Sequence, residues 1–342
     1  MEKYDGYVLY DEDNCAIIPK DFNKYKTENI ISINDKMKDI ISLCLRVAKS
    51  DAPVLITGDS GVGKELLTEL IHNNSNRKEE SFIKINCASI VDGLKESEFF
   101  GYEAGSFTGA SRFGKKGIIE QSQKGTLFLD EIGEMSLNLQ SALLRVIQDG
   151  KFLRVGGYKE IKSDIRIICA TNRDIKDLVE QGLFRNDLYF RLNVIPAFIP
   201  PLSERRDDIP ILSLYYTDYF NKKYNTTKKL SRNVIEALID KEWTGNVREL
   251  KNKIERLILI TINGIITIED LRYVESINQK EGSVYYVNQD IDYFETNRPL
   301  KEIMDEFEYN ILTKAVKEHG SIRKAAKALS VNPSTISRKL KK

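Results

Sequence analysis

The chain's first chemistry-bearing run is Gly58-Asp59-Ser60-Gly61-Val62-Gly63-Lys64-Glu65, which follows the apolar stretch Val54-Leu55-Ile56 and precedes Leu66-Leu67-Thr68-Glu69-Leu70. Glycines at these positions let a backbone curl until several N–H groups face one point, and a helix N-terminus behind them adds its dipole. Lys64 contributes a point charge. Strand, glycine loop, lysine and helix in this order form a cradle for the β- and γ-phosphates of a nucleotide. The generic loop ends in Ser or Thr, whose hydroxyl ligates Mg²⁺, but here Glu65 holds that place as a candidate metal contact.

A second motif supplies carboxylates. Leu127-Phe128-Leu129-Asp130-Glu131 reads as a buried strand ending in two acids. Asp130 is suited to hold Mg²⁺ through water, and Glu131 to orient and polarise an attacking water. A third run, Ile165 to Cys169, ends in Ala170-Thr171-Asn172, where the Asn172 amide can sense a γ-phosphate or align water.

Positioning such groups requires a scaffold that brings strand ends together. From Asn29 to about Ser203, short β-branched runs at 54–56, 82–85, 126–129 and 165–168 alternate with helical stretches, the pattern of a doubly wound parallel α/β sheet. From Glu204 to roughly Val274 the helical periods succeed one another, predicting an all-helical second subdomain. Residues 275–299 are polar with isolated aromatics and read as a linker, and 300–342 as a last helical unit. Residues 1–28 carry no usable motif and read as a linker or the remnant of a regulatory region.

Composition narrows the classes. With 342 residues and 41% apolar content the chain can build several cores, which excludes a disordered or fibrous protein. Lys plus Arg (52) and Asp plus Glu (51) nearly cancel, so a nucleic-acid footprint has to be local. One such footprint is the stretch from His319 to Lys342, which has seven basic residues and no acid. Cys15, Cys44, Cys87 and Cys169 form no CxxC pair, which argues against a zinc site or disulfide framework and fits a reducing compartment. A charged N-terminus and the lack of a long apolar run predict a cytoplasmic protein with no membrane span.

Within the basic stretch, Ser321 to Leu329 predicts a helix with Ile322, Ala325, Ala326 and Leu329 on one face. Ser330-Val331 makes a turn, and Asn332-Pro333 caps a second helix that turns Ile336 and Leu340 inward. Ser334, Thr335, Ser337 and Arg338 then face outward as DNA-reading candidates, the pattern of a helix-turn-helix rather than of a small helical packing unit. One such unit reads a half-site, so the helix from about Ile303 to Lys317 is expected to make a dimer on DNA.

From Asn29 to Lys342 the sequence resembles the sigma-54-dependent transcriptional activators, the bacterial enhancer-binding proteins. The phosphate loop is similar to their GESGTGKE, in which Glu at the position of Glu65 is usual. Gly105-Ser106-Phe107-Thr108-Gly109-Ala110 resembles their GAFTGA loop, the surface that engages the sigma factor, with Ser106 in place of Ala. Asn86 in Ile85-Asn86-Cys87 resembles the switch asparagine that holds the water-polarising glutamate, here Glu131. Arg185 and Arg191 correspond to arginine fingers that reach into a neighbour's site. Arg248, in Trp243-Thr244-Gly245-Asn246-Val247-Arg248, corresponds to the second sensor of the lid. Two departures concern the adenine pocket: Ser32 where glycine is common, and Ser203 where Arg is common.

The resemblance implies an AAA+ P-loop ATPase subdomain over 29–203, a helical lid over 204–274 and a Fis-type helix-turn-helix over 300–342. ATP and Mg²⁺ are the implied cofactors. The implied partners are sigma-54 RNA polymerase holoenzyme, an upstream double-stranded DNA site and other copies of the chain, in a dimer on DNA and a hexameric ring when active. A repressor of the aromatic amino acid regulator type with a silent ATPase domain is the competing reading, and the 105–110 loop argues against it. The C-terminal helix-turn-helix argues against a remodelling chaperone or helicase loader.

Overall fold

A computed structural model of the chain describes residues 8–19, 22–90, 92–106, 111–279, 308–309, 311–313, 315–316, 319–329 and 331–340. Five strands form one all-parallel sheet: β1 (Val54–Thr57), β2 (Phe82–Asn86), β3 (Thr126–Asp130), β4 (Arg166–Thr171) and β5 (Ile195–Phe198), in the order β5-β1-β4-β3-β2. The helices to either side that frame the sheet are α1 (Asp35–Val47), α2 (Lys64–Asn73), α3 (Leu137–Asp149) and α4 (Asn186–Leu192).

Alternation along the strands divides the core into two layers. Val54, Ile56, Phe128, Ile168 and Ala170 meet Met37, Ile41, Leu67 and Leu70 on the face covered by α1 and α2. Leu55, Leu127, Leu129, Ile167 and Cys169 meet Leu139, Leu143 and Leu188 on the face covered by α3 and α4. A sheet buried on both faces reads as a nearly unbroken apolar run, which explains why four of its strands were visible in the sequence. β5 was not foreseen because Pro196 interrupts it. The strand lies at the sheet edge, where a missing N–H leaves no interior ladder bond unmade.

The second subdomain holds α5 (Asp208–Tyr224), α6 (Arg232–Asp240), α7 (Asn246–Ile260) and α8 (Ile268–Gln279) around Phe220, Val234, Leu238, Trp243, Leu250, Ile254 and Leu257. It departs from the all-helical expectation in one place, where Lys229–Leu230 and Ile265–Ile266 form a short parallel pair. α8 also continues beyond 275, where the linker was expected to begin. Residues expected to be a linker at the N-terminal end are folded. Leu9–Tyr10 and Ala16–Ile17 form an antiparallel hairpin, and Val8 and Ala16 join the same core as Leu230 and Val234.

The C-terminal unit, described by itself, contains α9 (Ile322–Ala328) and α10 (Pro333–Lys339) around Leu312, Ala315, Ala325, Ala326 and Ile336. Ile322 and Leu329, assigned to the inner face from sequence, are instead 37% and 36% exposed. They sit at the two ends of a helix only two turns long, where little of the core reaches them. The helix expected from about Ile303 to Lys317 lies largely outside the described residues. All four cysteines are buried free thiols.

Leu127 is fully buried in β3, between two paired strands. Leu127→Ala should destabilise the α/β subdomain by about 2–5 kcal/mol, read as a lower denaturation midpoint at unchanged slope.

Candidate functional site

In a parallel sheet all carboxyl ends lie at one edge, and here that edge carries the sequence motifs together. Thr57 leads into the glycine loop, Asn86 pairs in register with Asp130, and the Gly58 N–H donates to the Thr171 carbonyl at 3.3 Å. The loop adopts positive φ at Gly58 (150°), Gly61 (80°) and Gly63 (110°), and α2 begins at the next residue, Lys64. A side chain at Gly61 would put its Cβ 2.4 Å from the Gly245 carbonyl oxygen. The lid's backbone therefore rests directly on the phosphate loop.

Several bonds fasten that contact. Asn246 Nδ2 donates to the Ser60 carbonyl at 3.0 Å, Arg248 Nη1 donates to Ser60 Oγ at 2.9 Å, and the Arg248 N–H donates to the Gly61 carbonyl at 3.3 Å. From the other side, Arg205 Nη2 donates to the Val62 carbonyl at 2.8 Å and its Nη1 lies 3.5 Å from Asp208. Asp208 is wholly buried and accepts from Ser32 Oγ (2.8 and 2.9 Å) and from the Ile33 N–H at 2.7 Å. Burial pushes the Asp208 carboxyl above its ordinary range, against the lowering influence of Arg205 and Ser32. Sequence reasoning missed this network. Its signal was an Arg and an Asp three residues apart beside an apolar run, with Ser32 as the one partner already noted.

Lys64 is 8% exposed and donates to the Gly58 (2.8 Å) and Asp59 (3.2 Å) carbonyls, with Glu131 Oε1 at 4.0 Å. Burial lowers its pKa, while the charges of Glu131 and Asp130 oppose the shift. Asp130 is raised from the ordinary carboxylate value, first by burial and then by the charge of Glu131. Glu131 has left-handed backbone at φ 50° and ψ 50°, unusual for a residue with a side chain. Such a conformation costs roughly 1–3 kcal/mol and persists where the surroundings impose it. Here it turns the carboxylate toward the strand ends, where Oε2 accepts from the Asn172 N–H at 3.2 Å.

Other expected residues fall around this centre with different partners. Asn86 Oδ1 accepts from the Ala88 N–H at 2.9 Å, and among the described residues no hydrogen bond joins Asn86 to Glu131. Glu65 is bound to Lys84 at 2.8 Å, a lysine that also holds Glu69 at 2.5 Å. Arg185 occupies the N-cap position of α4 without a capping bond from its side chain, which is tied to Asp187 (2.7 Å) and Ser141 (3.0 Å). Arg191, at the other end of α4, is exposed and has no ion-pair partner among the described residues. Gly105 and Ser106 are described, and the Ser106 hydroxyl is buried without a hydrogen-bond partner. Phe107, Thr108, Gly109 and Ala110 lie outside the described residues.

The groups enclose a cavity of about 340 Å³. Gly61, Gly63, Lys64, Asp130, Glu131 and Arg248 line one end, while Ile30, Ile31, Met37, Leu212, Tyr215 and Tyr216 line the other. A polar, cationic end joined to an apolar, aromatic one suits a phosphorylated base. Among the described residues no cluster of three or more His, Cys, Asp or Glu side chains could hold a metal alone. A single carboxylate at Asp130 beside a phosphate cradle fits Mg²⁺, which keeps water and shares its ligands with phosphate oxygens.

In the C-terminal unit, Asn332 Oδ1 accepts from the Ser334 N–H at 3.1 Å with Pro333 in the first turn, capping α10 as its sequence demanded. Ser334 and Arg338 are exposed, Thr335 and Ser337 half-buried. Along this helix basic residues cluster in the last turn, at Arg338 and Lys339.

Comparison with known proteins adds three domain matches: a sigma-54 interaction domain over residues 30–197, an AAA+ ATPase lid domain over 203–283 and a helix-turn-helix domain over 297–342. The chain is 43% identical over 302 residues to an uncharacterised protein in the HyuA 5′ region of Pseudomonas sp. (strain NS671), covering 88% of this chain and 99% of that one. It is 40% identical over 310 residues to the nitrogen fixation protein AnfA of Azotobacter vinelandii, covering 90% of this chain but 56% of AnfA. Among solved structures, NtrX of Brucella abortus in complex with ATP superimposes with a TM-score of 0.65 at 30% identity, covering 94% of this chain and 70% of that one.

Gly61→Ala should force the lid off the loop, since its Cβ would overlap the Gly245 carbonyl and its φ of 80° is strained for alanine. The variant should be destabilised by roughly 1–3 kcal/mol, read as a lower unfolding temperature, and bind ADP at least about tenfold more weakly, checked by calorimetry.

Proposed function

The chain belongs to the family of sigma-54-dependent transcriptional activators, and on that premise we propose that it is an ATPase whose oligomeric ring remodels the closed promoter complex of sigma-54 RNA polymerase. The observation that carries this reading is the buried Lys64 set 4.0 Å from Glu131 at the floor of one cavity. A cation held by carbonyls and a carboxylate held by a backbone N–H leave both groups ready for a phosphate chain and a water. Lys64 and the loop N–H groups bind the β- and γ-phosphates, and the apolar end takes the adenine. Asp130 would be the protein carboxylate that holds Mg²⁺, which when bound with the nucleotide would neutralise charge on the phosphate oxygens. Glu131 accepts hydrogen bonding from the attacking water and draws its proton toward the carboxylate, while Asn172 fixes the glutamate's orientation.

Two further parts act outside the protomer. The 105–110 loop contacts sigma-54, and the helix-turn-helix holds the protein, as a dimer, on an upstream DNA site through Ser334, Thr335, Ser337 and Arg338. Four basic residues line the cavity, Lys64, Arg205, Arg248 and Lys251; Arg205 is taken up by the Val62 carbonyl and Asp208, and Lys251 lies over the Tyr216 and Tyr219 rings, so the charge developing on the γ-phosphoryl calls for a cation from a neighbouring subunit. Arg191 suits that role better than Arg185, whose guanidinium is already bound to Asp187. Asn86 bonded to Ala88 is the state in which the switch does not restrain Glu131. A cytoplasmic location follows from the same assignment.

In a reconstituted sigma-54 transcription assay, Glu131→Gln should bind ATP with near-normal affinity but lose hydrolysis by at least about a hundredfold. Thr108→Ala should keep hydrolysis and DNA binding yet give no open complexes. Normal open-complex formation by Thr108→Ala would remove the proposed sigma-54 contact.

Shared sites predict a mixing result. Arg191→Ala protomers should bind ATP and hydrolyse it about 10³- to 10⁵-fold more slowly. Lys64→Ala protomers should bind none. Co-assembled, the two should regain part of the activity at interfaces that pair an intact Lys64 with an intact Arg191, as measured by phosphate release.

A further inference from the structure

Residues 8–19 and 22–31 touch the lid, the apolar end of the cavity and the far end of the phosphate-loop helix in succession. At the lid, Asp11 receives the N–H groups of Asp13 (3.1 Å) and Cys15 (2.9 Å) on one carboxylate oxygen and Lys229 Nζ at 2.7 Å on the other. The Arg232 N–H donates to the Asn14 carbonyl at 3.1 Å, and its guanidinium sits 5.1 Å from the centre of the Tyr10 ring. Farther along, Phe22 stacks on Tyr215 with ring centroids 6.3 Å apart and planes 5° from parallel. Tyr215 lines the cavity. The chain then turns through the hairpin of Lys26–Thr27 with Ile30–Ile31, and the Ser32 N–H donates to the Tyr25 carbonyl at 3.0 Å. At the hairpin turn, Glu28 (φ 51°) accepts from Asn73 Nδ2 at 3.0 Å and Asn74 Nδ2 at 2.6 Å, at the C-terminal end of α2.

We propose that residues 8–19 and 22–31 form a clasp that sets the base-binding wall, with Phe22 a positioning residue that holds Tyr215 against the purine. Each anchor has a separate job. The Asp11–Lys229 pair fixes one end to the lid, and the Glu28 contacts fix the other to the helix that begins at Lys64. Between these anchors the flat face of Phe22 covers one side of Tyr215, whose ring also meets Tyr216 edge-on at 5.2 Å and Tyr219 at 6.4 Å, and adds to the contacts that hold it at the cavity. Because α2 and the lid are held by one short segment, base and phosphate ends keep a constant separation. The inference rests on the reading of the cavity as a nucleotide site.

The test uses the full chain and two probes, ADP and inorganic tripolyphosphate, with binding followed by calorimetry. Tripolyphosphate reaches the phosphate loop but has no base. Phe22→Ala should weaken ADP binding roughly two- to tenfold, the scale of one aromatic pair, and leave tripolyphosphate binding unchanged. Phe22→Tyr, which keeps the ring, should bind ADP as the unmodified chain does. Should Phe22→Ala lose its native circular dichroism, Phe22→Leu tests the same point, since it keeps apolar volume without a flat face. Equal ADP affinity in the ring-less variant, or a parallel loss for tripolyphosphate, would overturn the clasp while leaving the nucleotide site intact. Failure of the unmodified chain to bind ADP would overturn the nucleotide reading and the clasp with it.

Discussion

A buried ammonium must be neutralised by something, and at Lys64 the neutralising groups come from two separate pieces of the chain. Its own loop supplies two carbonyls, and β3 supplies the Asp130–Glu131 charges. This requirement organises the surrounding fold. The loop can curl back to its lysine only with glycine at the positive-φ positions, and the carboxylates arrive only because β3 runs parallel to β1 and ends at the same edge. The tension between desolvation, which favours the neutral amine, and the nearby carboxylates, which favour the ammonium, is what a phosphate chain would relieve.

The lid is part of that arrangement rather than an appendage. Gly61 against Gly245, Ser60 under Asn246 and Arg248, and Val62 under Arg205 tie the loop to two different stretches of the helical subdomain. Arg205 and Asp208 are an ion pair with almost no exposure, and such pairs contribute less to stability than their Coulomb attraction suggests. Their value lies in geometry: removing either partner would leave a buried charge facing the loop.

How much of this was legible in the sequence depends on range. Local chemistry was readable. The glycine spacing, the apolar run into Asp130 and the Asn332-Pro333 cap each declare themselves within a few residues. β5 was hidden because Pro196 breaks the expected strand pattern, and only its edge location makes that tolerable. The clasp at 8–19 and 22–31 was hidden because its partners, Lys229, Arg232 and Tyr215, lie about two hundred residues away in sequence. Ile322 and Leu329 were assigned inward on periodicity alone, yet a helix of two turns presents its ends to water whatever their side chains. Arg185 and Arg191 looked equivalent as letters and differ in the structure because Asp187 and Ser141 engage Arg185, at the opposite end of α4 from Arg191.

The order of elements after β4 also has a mechanical side. Arg191 occupies the last turn of α4, and the chain reaches β5 at Ile195, whose ladder with β1 runs from Ile195 opposite Val54 to Phe198 opposite Thr57. The Ile199 N–H then closes on the Thr57 carbonyl at 2.8 Å, and the Ile199 carbonyl stands where a side chain on Gly58 would be. A pull or push on α4 is therefore delivered through a stiff, hydrogen-bonded strut to the residue where the phosphate loop departs from the sheet. Such a strut has a short arm: between the last turn of α4 and the carbonyl packed on Gly58 stand the paired strand Ile195–Phe198 and the Ile199 bond that follows it.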